Sequence, residues 1–178
     1  MNHHTFIKHY EGVVPNIVCD WLVDSFESSN QLVTRRNGPQ NFDEMNLNQF
    51  REDAANTMVR FMETALRRYV TDVQETVFFP DLAIEEFRVK RYTGGTDQQF
   101  AEHVDVGSLA SAKRYLSFLF YLNDNFTGGQ TLFYPTTTIT PLKGSVLVFP
   151  PMWMYPHAGL PVETGNKYIM SSYLNYAE

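Results

Sequence analysis

The chain has 178 residues, of which 43% are hydrophobic and 15% aromatic, and it carries a formal net charge of −6. This length and composition fit a packed globular domain and exclude a disordered chain. The negative net charge argues against a nucleic acid or an anionic membrane surface as the main partner.

The single cysteine, Cys19, cannot form a disulfide within the chain, so a reducing compartment is the simpler expectation. Cys19 lies in an apolar stretch, which favours a buried structural thiol over a reactive one. The N-terminal residues show no apolar run of signal-peptide length, and no segment approaches the roughly 18 apolar residues of a membrane span. We therefore expect a soluble, cytoplasmic protein that has no membrane partner.

The N-terminal part of the chain is predicted to contain helices. Residues 16–28 carry apolar side chains on one helical face, with Asn16 as a candidate N-cap. Residues 31–43 contain a turn signal and two adjacent arginines, which favours a loop. From about 47 to 73 the apolar positions recur at intervals of three and four, which predicts one long amphipathic helix.

After residue 80 the sequence predicts short strands separated by turns. Helices followed by strands favour an α+β domain, mainly β, in which helices support a β-sandwich or jelly roll. We interpret the change as a change of layer within one domain, residues 1–178, with helical support over about 1–80 and the core over about 81–178. The predicted strands lie at residues 82–92, 114–122, 129–134, 144–149 and 167–176.

The pattern with the clearest chemistry is His103-x-Asp105. Side chains alternate along a strand, so these two would point to the same side. With His157 they would supply two imidazoles and one carboxylate, the ligand set of non-haem Fe(II) oxygenases. Lys167 follows His157 by ten residues and could hold an anionic co-substrate beside the metal. Taken singly, each is more often an ordinary structural residue, and Lys167 alone would be interpreted as a solvated lysine.

Short motifs surround these residues in a fixed order. They are Phe100-x-x-His103-x-Asp105, Tyr121-Leu122-Asn123, Gly128-Gly129-Gln130-Thr131-x-Phe133, Pro141-x-Lys143-Gly144-x-x-x-x-Phe149-Pro150 and His157-x-Gly159-x-Pro161-Val162-x-x-Gly165-x-Lys167-Tyr168. Together they resemble the prolyl 4-hydroxylase-like branch of the Fe(II)/2-oxoglutarate-dependent dioxygenases, over about residues 82–176. Many relatives have glutamate where this chain has Gln130, a position that is not a metal ligand in the pattern.

The resemblance implies a double-stranded β-helix, or jelly roll, that holds Fe(II) through His103, Asp105 and His157. It further implies that Lys167 pairs with the distal carboxylate of 2-oxoglutarate. O2 is the second co-substrate, and ascorbate is an optional reductant. Other residues that the resemblance places at the co-substrate pocket are Tyr92, Tyr121 and Thr131.

The leading interpretation is a dioxygenase that hydroxylates a peptidyl residue, with proline favoured, and releases succinate and CO2. Its partner would be a proline-containing peptide or protein, and residues 33–42 would be a mobile lid over that peptide. Three alternatives stay open. The same chemistry could act on a free amino acid, another small metabolite or a nucleotide; the chain could be a non-catalytic jelly-roll binding module; or it could be a hydrolytic zinc enzyme, which would leave Lys167 without a role.

Overall fold

The computed structural model describes residues 6–73 and 80–177. The α-helices within them are α1 (Asn16–Glu27), α2 (Leu47–Phe50) and α3 (Glu52–Val73), and a short 3₁₀ helix covers Leu109–Ser111. The strands are β1 (Lys8–Tyr10), β2 (Val33–Asn37), β3 (Gln40–Asn46), β4 (Leu82–Ile84), β5 (Arg88–Thr93), β6 (Gln99–His103), β7 (Arg114–Tyr121), β8 (Thr127–Gly128), β9 (Thr131–Phe133), β10 (Thr137–Ile139), β11 (Val146–Phe149), β12 (His157–Gly159), β13 (Val162–Thr164) and β14 (Asn166–Tyr176).

Most of the strands form one antiparallel sheet in the order β1-β11-β7-β14-β5-β3-β6-β12-β9-β10, with β2 paired to β3 and β4 paired to β14. Strands β8 and β13 form a separate ribbon. The large sheet folds over on itself, so that Tyr121 on β7 reaches Thr131 on β9 with an oxygen–oxygen distance of 2.7 Å. The nearly closed barrel confirms the predicted jelly roll with helical support.

Each central strand separates two apolar cores. On β11, Val146 and Val148 pack into the core that α1 and α3 cover. Leu147 and Phe149, which point the other way, pack into the barrel interior. Because both faces of β11 are covered, the strand is a continuous apolar run rather than an alternating one. The barrel interior is therefore a second apolar compartment, closed off from the helices.

The helices differ from the prediction at their ends. Pro15 occupies the N-cap position of α1 and Asn16 is the first helical residue, so the predicted cap was wrong. The single long helix predicted over 47–73 is interrupted at Arg51, which has φ −148° and ψ 65°. In this conformation the Arg51 guanidinium donates to Ser25 Oγ on α1 at 2.9 Å. The helices on either side of Arg51 keep their apolar faces toward the same core, so periodicity did not reveal the break.

The segment predicted as a loop, 31–43, instead contains β2 and most of β3, so that prediction was wrong. The turn signal was located correctly, because Asn37 pairs with Gln40 across it. Polar side chains link the two strands, with Arg35 on Glu44 at 3.0 Å and Thr34 on Asp43 at 2.8 Å. A strand pair that polar contacts hold together gives no hydrophobic pattern. A lid role for residues 33–42 stays a prediction.

None of the helices in the described parts of the chain is long and apolar enough to cross a membrane.

Gly144 joins the helical layer to the barrel, and we expect Gly144→Ala to destabilise the fold. The Gly144 carbonyl accepts from the amides of Val13 at 3.0 Å and Val14 at 2.9 Å. Its φ is 79°, and an added Cβ would collide with the Val14 carbonyl oxygen. The positive φ costs an alanine about 1–2 kcal/mol and the overlap about 1–3 kcal/mol. Urea denaturation should show the free energy of unfolding falling by about 2–5 kcal/mol.

Gly12→Ala is the matched control for this substitution. Gly12 has a φ of 64°, but no heavy atom lies within 4 Å of the position that its Cβ would occupy. The free energy of unfolding should then fall only by the backbone contribution of about 1–2 kcal/mol. Equal losses for the two variants would contradict the proposed collision at Gly144.

Candidate metal centre

His103, Asp105 and His157 meet in the barrel interior. His103 is the last residue of β6 and His157 the first of β12, and the antiparallel register places the two opposite each other. The prediction that His103 and Asp105 share one strand was wrong, because β6 ends at His103 and Asp105 lies in the following bend. One potential ligand atom of each residue lies within 4.8 Å of those of the other two.

Backbone carbonyls fix which imidazole nitrogen is free. His103 Nδ1 lies 2.7 Å from the Ala101 oxygen, and His157 Nδ1 lies 3.0 Å from the Tyr155 oxygen. A carbonyl can only accept, so each Nδ1 carries the proton and each Nε2 presents a lone pair. The two Nε2 atoms face Asp105, at 3.4 Å from Oδ1 for His103 and 3.9 Å from Oδ2 for His157.

These three residues fit a divalent transition metal. His103 Nε2 is buried and has no hydrogen-bond partner within the described residues. A buried acceptor without a partner is costly, and a metal ion between the two Nε2 atoms and the carboxylate would satisfy it. The carbonyls on both Nδ1 atoms are the outer partners that usually orient a ligating histidine.

Aromatic rings hold the imidazoles in place. The Phe100 ring stacks on His103 with centroids 3.5 Å apart and planes 6° from parallel. Phe149 lies edge-on to His157 at 4.8 Å, and Phe133 lies at 5.4 Å from the same imidazole. These contacts restrict both rings, so the donor set is preorganised rather than assembled by the metal.

The charge states at the site suit metal binding. Burial alone would raise the pKa of Asp105, but positive charge nearby, on His157 and His103 when they are protonated and on Lys90, holds the pKa of that carboxyl below its usual range. Burial also lowers the pKa of His157, which keeps its imidazole neutral at neutral pH. An ionised carboxylate and neutral imidazoles are the forms that bind a metal ion.

A cavity adjoins these residues, and together with the open solvent at its mouth it contains about 440 Å³ not occupied by atoms. Four alternate residues of β14 line it, as the predicted alternation of that strand requires: Lys167, Ile169, Ser171 and Tyr173. Leu119 and Phe149 add apolar wall. The cavity wall therefore combines apolar side chains with polar ones, among them Lys90, Lys167 and Ser171, beside the metal-ligand candidates.

Lys167 is a buried amine to which the described residues offer no carboxylate partner. Its side chain belongs to a residue that is 2% exposed, and its Nζ donates to the Gly129 oxygen at 2.6 Å. The Tyr92 and Tyr121 rings lie 5.5 and 5.9 Å from Nζ. No carboxylate within residues 6–73 and 80–177 lies within 4.0 Å of it. Burial lowers the pKa of Lys167 to about 7. An anionic ligand in the cavity would restore the charge of this amine.

Of the three other predicted pocket residues, Tyr92 and Thr131 line the cavity. Tyr121 is fully buried behind the wall, and its hydroxyl contacts Thr131 Oγ1 at 2.7 Å. The structure therefore brings Tyr92 and Thr131 together with Lys167. Tyr121 does not line the cavity, and Thr131 lies between its hydroxyl and the cavity.

A polar cleft continues outward from the same residues, with His103, Asp105, Ser171 and Tyr173 on its wall. Of the charged groups of this cleft, sequence reasoning identified Asp105, and Arg35 only as part of a possible lid; it missed the others. The sequence feature that could have identified three of the residues at this site is the alternation Arg88-x-Lys90-x-Tyr92 on β5, because it places all three side chains on the inward face. The charged residues of the cleft, besides Asp105, are Arg35, Glu44, Glu85, Arg88, Lys90 and Arg114.

Comparison with known proteins gives three results. Residues 87–175 match the sequence model of the 2OG-Fe(II) oxygenase superfamily. None of the curated proteins compared with the chain matches it. Similar solved structures share the fold at low sequence identity.

The viral collagen prolyl hydroxylase of Paramecium Bursaria Chlorella virus-1, in its 2OG complex, is 21% identical with a TM-score of 0.73, covering 97% of this chain and 97% of that one. A Trichoplax adhaerens prolyl hydroxylase, in complex with a hypoxia inducible factor oxygen degradation domain peptide fragment, is 14% identical with a TM-score of 0.76, covering 96% and 84%. A Pseudomonas putida prolyl-4-hydroxylase is 15% identical with a TM-score of 0.75, covering 97% and 94%.

Proposed function

The chain belongs to the 2OG-Fe(II) oxygenase superfamily, and we propose that, as a single domain, it hydroxylates a peptidyl residue, with proline favoured. The family's chemistry uses Fe(II), 2-oxoglutarate and O2, with ascorbate as an optional reductant. The observation that carries the proposal is that one cavity is lined by a preorganised His, His, Asp donor set and by a buried lysine to which the described residues offer no carboxylate. A peptide substrate is supported by the shared fold, since one similar structure is a prolyl hydroxylase in complex with a peptide fragment.

His103, Asp105 and His157 would hold the iron. Bound iron supplies the oxidation by O2, in which 2-oxoglutarate loses CO2 to become succinate and one oxygen atom converts a substrate C–H into C–OH. The protein positions the reactants and keeps water away from them.

Lys167 would bind the distal carboxylate of 2-oxoglutarate through a charge-assisted hydrogen bond. Thr131 offers a hydroxyl on the same wall, which Tyr121 orients from behind. Tyr92 adds its ring beside the ammonium. Ile169 and Leu119 give the cavity an apolar lining that excludes water from the reaction.

The partner would be a peptide or protein with an exposed proline, bound in the polar cleft. A cytoplasmic location is part of the proposal. It is supported by Cys19, a free and fully buried thiol, which suits a reducing compartment.

The proposal predicts peptide hydroxylation that depends on iron and 2-oxoglutarate. The iron-loaded protein, incubated with 2-oxoglutarate, O2 and a library of proline-rich peptides, should form succinate and peptides heavier by one oxygen atom. Omission of either Fe(II) or 2-oxoglutarate should remove both products. Mass spectrometry of the peptides and an assay for succinate measure the two results independently.

Peptides in which alanine replaces the proline are the matched control, and they should gain no oxygen. Oxygen transfer to a free amino acid or another small metabolite, without any peptide product, would contradict the peptidyl assignment. A protein that retains no iron and forms no succinate would be a binding module rather than an oxygenase.

A further inference from the structure

The polar cleft outside the metal centre contains three arginines, and each has a carboxylate partner. Arg35 and Arg88 both contact Glu44 Oε1, at 3.0 and 3.1 Å. Arg114 pairs with Glu85 at 2.6 Å. Arg88 also contacts Glu86 at 2.5 Å, so three carboxylates, Glu44, Glu85 and Glu86, match the three arginines. A ligand carboxylate would have to compete with one of these ion pairs for an arginine.

Lys90 is the fourth cation of the cleft, and it has no such partner in the part of the chain that the structure describes. The residue is 6% exposed and lies on the wall of both the inner cavity and the cleft. Its Nζ lies 5.1 Å from the Phe42 ring and 5.6 Å from the Phe100 ring. Within the described residues it makes no hydrogen bond, and no carboxylate lies within 4.0 Å of it.

The two acidic groups that act on Lys90 are already engaged. Glu44 is its register partner on β3, but the Glu44 carboxylate is shared by two arginines. Asp105 also acts on Lys90, but its carboxylate faces the two imidazoles. Burial lowers the pKa of Lys90, whereas Glu44 and then Asp105 oppose that change. A ligand that brings its own negative charge would stabilise the ammonium.

A second polar group without a hydrogen-bond partner among the described residues, the Ser171 hydroxyl, lies where the inner cavity meets the cleft. Lys90 lies opposite Ile169 in the register of β5 and β14, and Ser171 is the next residue of β14 on the inward face. Ser171 Oγ is buried and has no hydrogen-bond partner within the described residues. Ser171 lines both the inner cavity and the cleft, as Lys90 does. An ammonium and a hydroxyl are donors that suit a single carboxylate.

We propose that Lys90 and Ser171 bind a carboxylate of the substrate next to the residue that is hydroxylated. The inference rests on the proposed function, and it narrows the substrate to an acidic peptide. The chain as a whole is acidic, with a formal net charge of −6, so selection for an acidic partner must come from a local cation. Lys90 is that cation, because the three arginines of the cleft are paired.

The experiment measures binding apart from turnover. Peptides with blocked termini and one proline carry Glu or Gln directly before or directly after it. A further pair differs only in a free or an amidated carboxyl terminus, which separates a side-chain carboxylate from a terminal one. Calorimetry without O2, on protein loaded with Fe(II) and 2-oxoglutarate, gives the affinities, and mass spectrometry with O2 gives the product.

The variant is Lys90→Met, which keeps the length of the side chain and removes its charge. Lys113→Met is the matched control, because Lys113 is exposed and lies outside the cleft lining. A carboxylate peptide should bind the original protein and the control at least about tenfold more tightly than its amide counterpart. In Lys90→Met the ratio of the two peptide affinities should fall to nearly one, and the affinity for 2-oxoglutarate should stay unchanged.

Equal affinities for the acidic and amide peptides, or a preference that survives in Lys90→Met, would overturn the inference. A larger loss of 2-oxoglutarate affinity than of peptide affinity would assign Lys90 to the co-substrate and overturn it as well. Peptide hydroxylation without an acidic preference would leave the proposed function in place. Acid-selective binding that needs Lys90 but gives no oxygenated peptide would contradict the proposed function alone.

Discussion

Asp105→Ala is expected to abolish product formation and iron retention together. Asp105 is the only carboxylate among the three candidate ligands, and the remaining donors are two neutral imidazoles. A divalent ion left with two nitrogens loses both a ligand and the charge that offsets its own. Succinate formation and peptide oxygenation should fall by about 10³-fold or more. Iron content after desalting should fall in parallel.

Glu102→Ala is the matched control, since Glu102 is an exposed acidic neighbour on β6 with the same charge. It should keep its iron and its turnover. Iron content is the decisive measurement, because it separates a lost ligand from a lost catalytic step. Full turnover in Asp105→Ala would refute the assignment of this triad as the metal site.

The parts of the fold that sequence predicted are those with strong local patterns. Strand β11 and the inward face of β14 were expected because their apolar residues are continuous or alternate over several positions. The hairpin of β2 and β3 was missed because polar pairs such as Thr34 with Asp43 hold it together. Strands of two or three residues, among them β8, β10, β12 and β13, are too short to show a period.

The sequence predicted which residues form the candidate metal centre, but not how the chain places them or which further residues line the cavity. Order and chemistry predicted that His103, Asp105 and His157 would meet, and their roles as iron ligands stay predictions. The bend that places Asp105 is held by distant residues, since the Val106 amide donates to the Pro151 oxygen at 3.0 Å and Arg114 donates to the Asp105 carbonyl at 3.3 Å. Lys90 was missed because a lysine on a strand is usually solvated. It is buried here because its side chain points into the barrel, where the Phe42 and Phe100 rings lie 5.1 and 5.6 Å from its Nζ. The alternation along β5 gives the side of the strand, but not that the side is enclosed.

Lys167→Ala is expected to weaken 2-oxoglutarate binding severely. Removing one partner of a buried ion pair costs roughly 3–5 kcal/mol, which corresponds to an increase of about 10²–10³-fold or more in the KM for 2-oxoglutarate. Peptide affinity should change little, because Lys167 lines the inner cavity and not the outer cleft. An unchanged KM for 2-oxoglutarate would remove Lys167 from the co-substrate site.

The low pKa of Lys167, about 7 without a ligand, makes its role visible in a pH profile. A dianionic ligand favours the ammonium and raises that pKa, so binding takes up a proton whenever the free lysine is neutral. The affinity for 2-oxoglutarate should therefore be level below about pH 7 and fall by up to tenfold per pH unit above it. Lys167→Arg keeps its charge over this range and should lose the slope, whatever its absolute affinity. A level profile in the unsubstituted protein between about pH 7 and pH 9 would mean that this lysine does not hold the co-substrate.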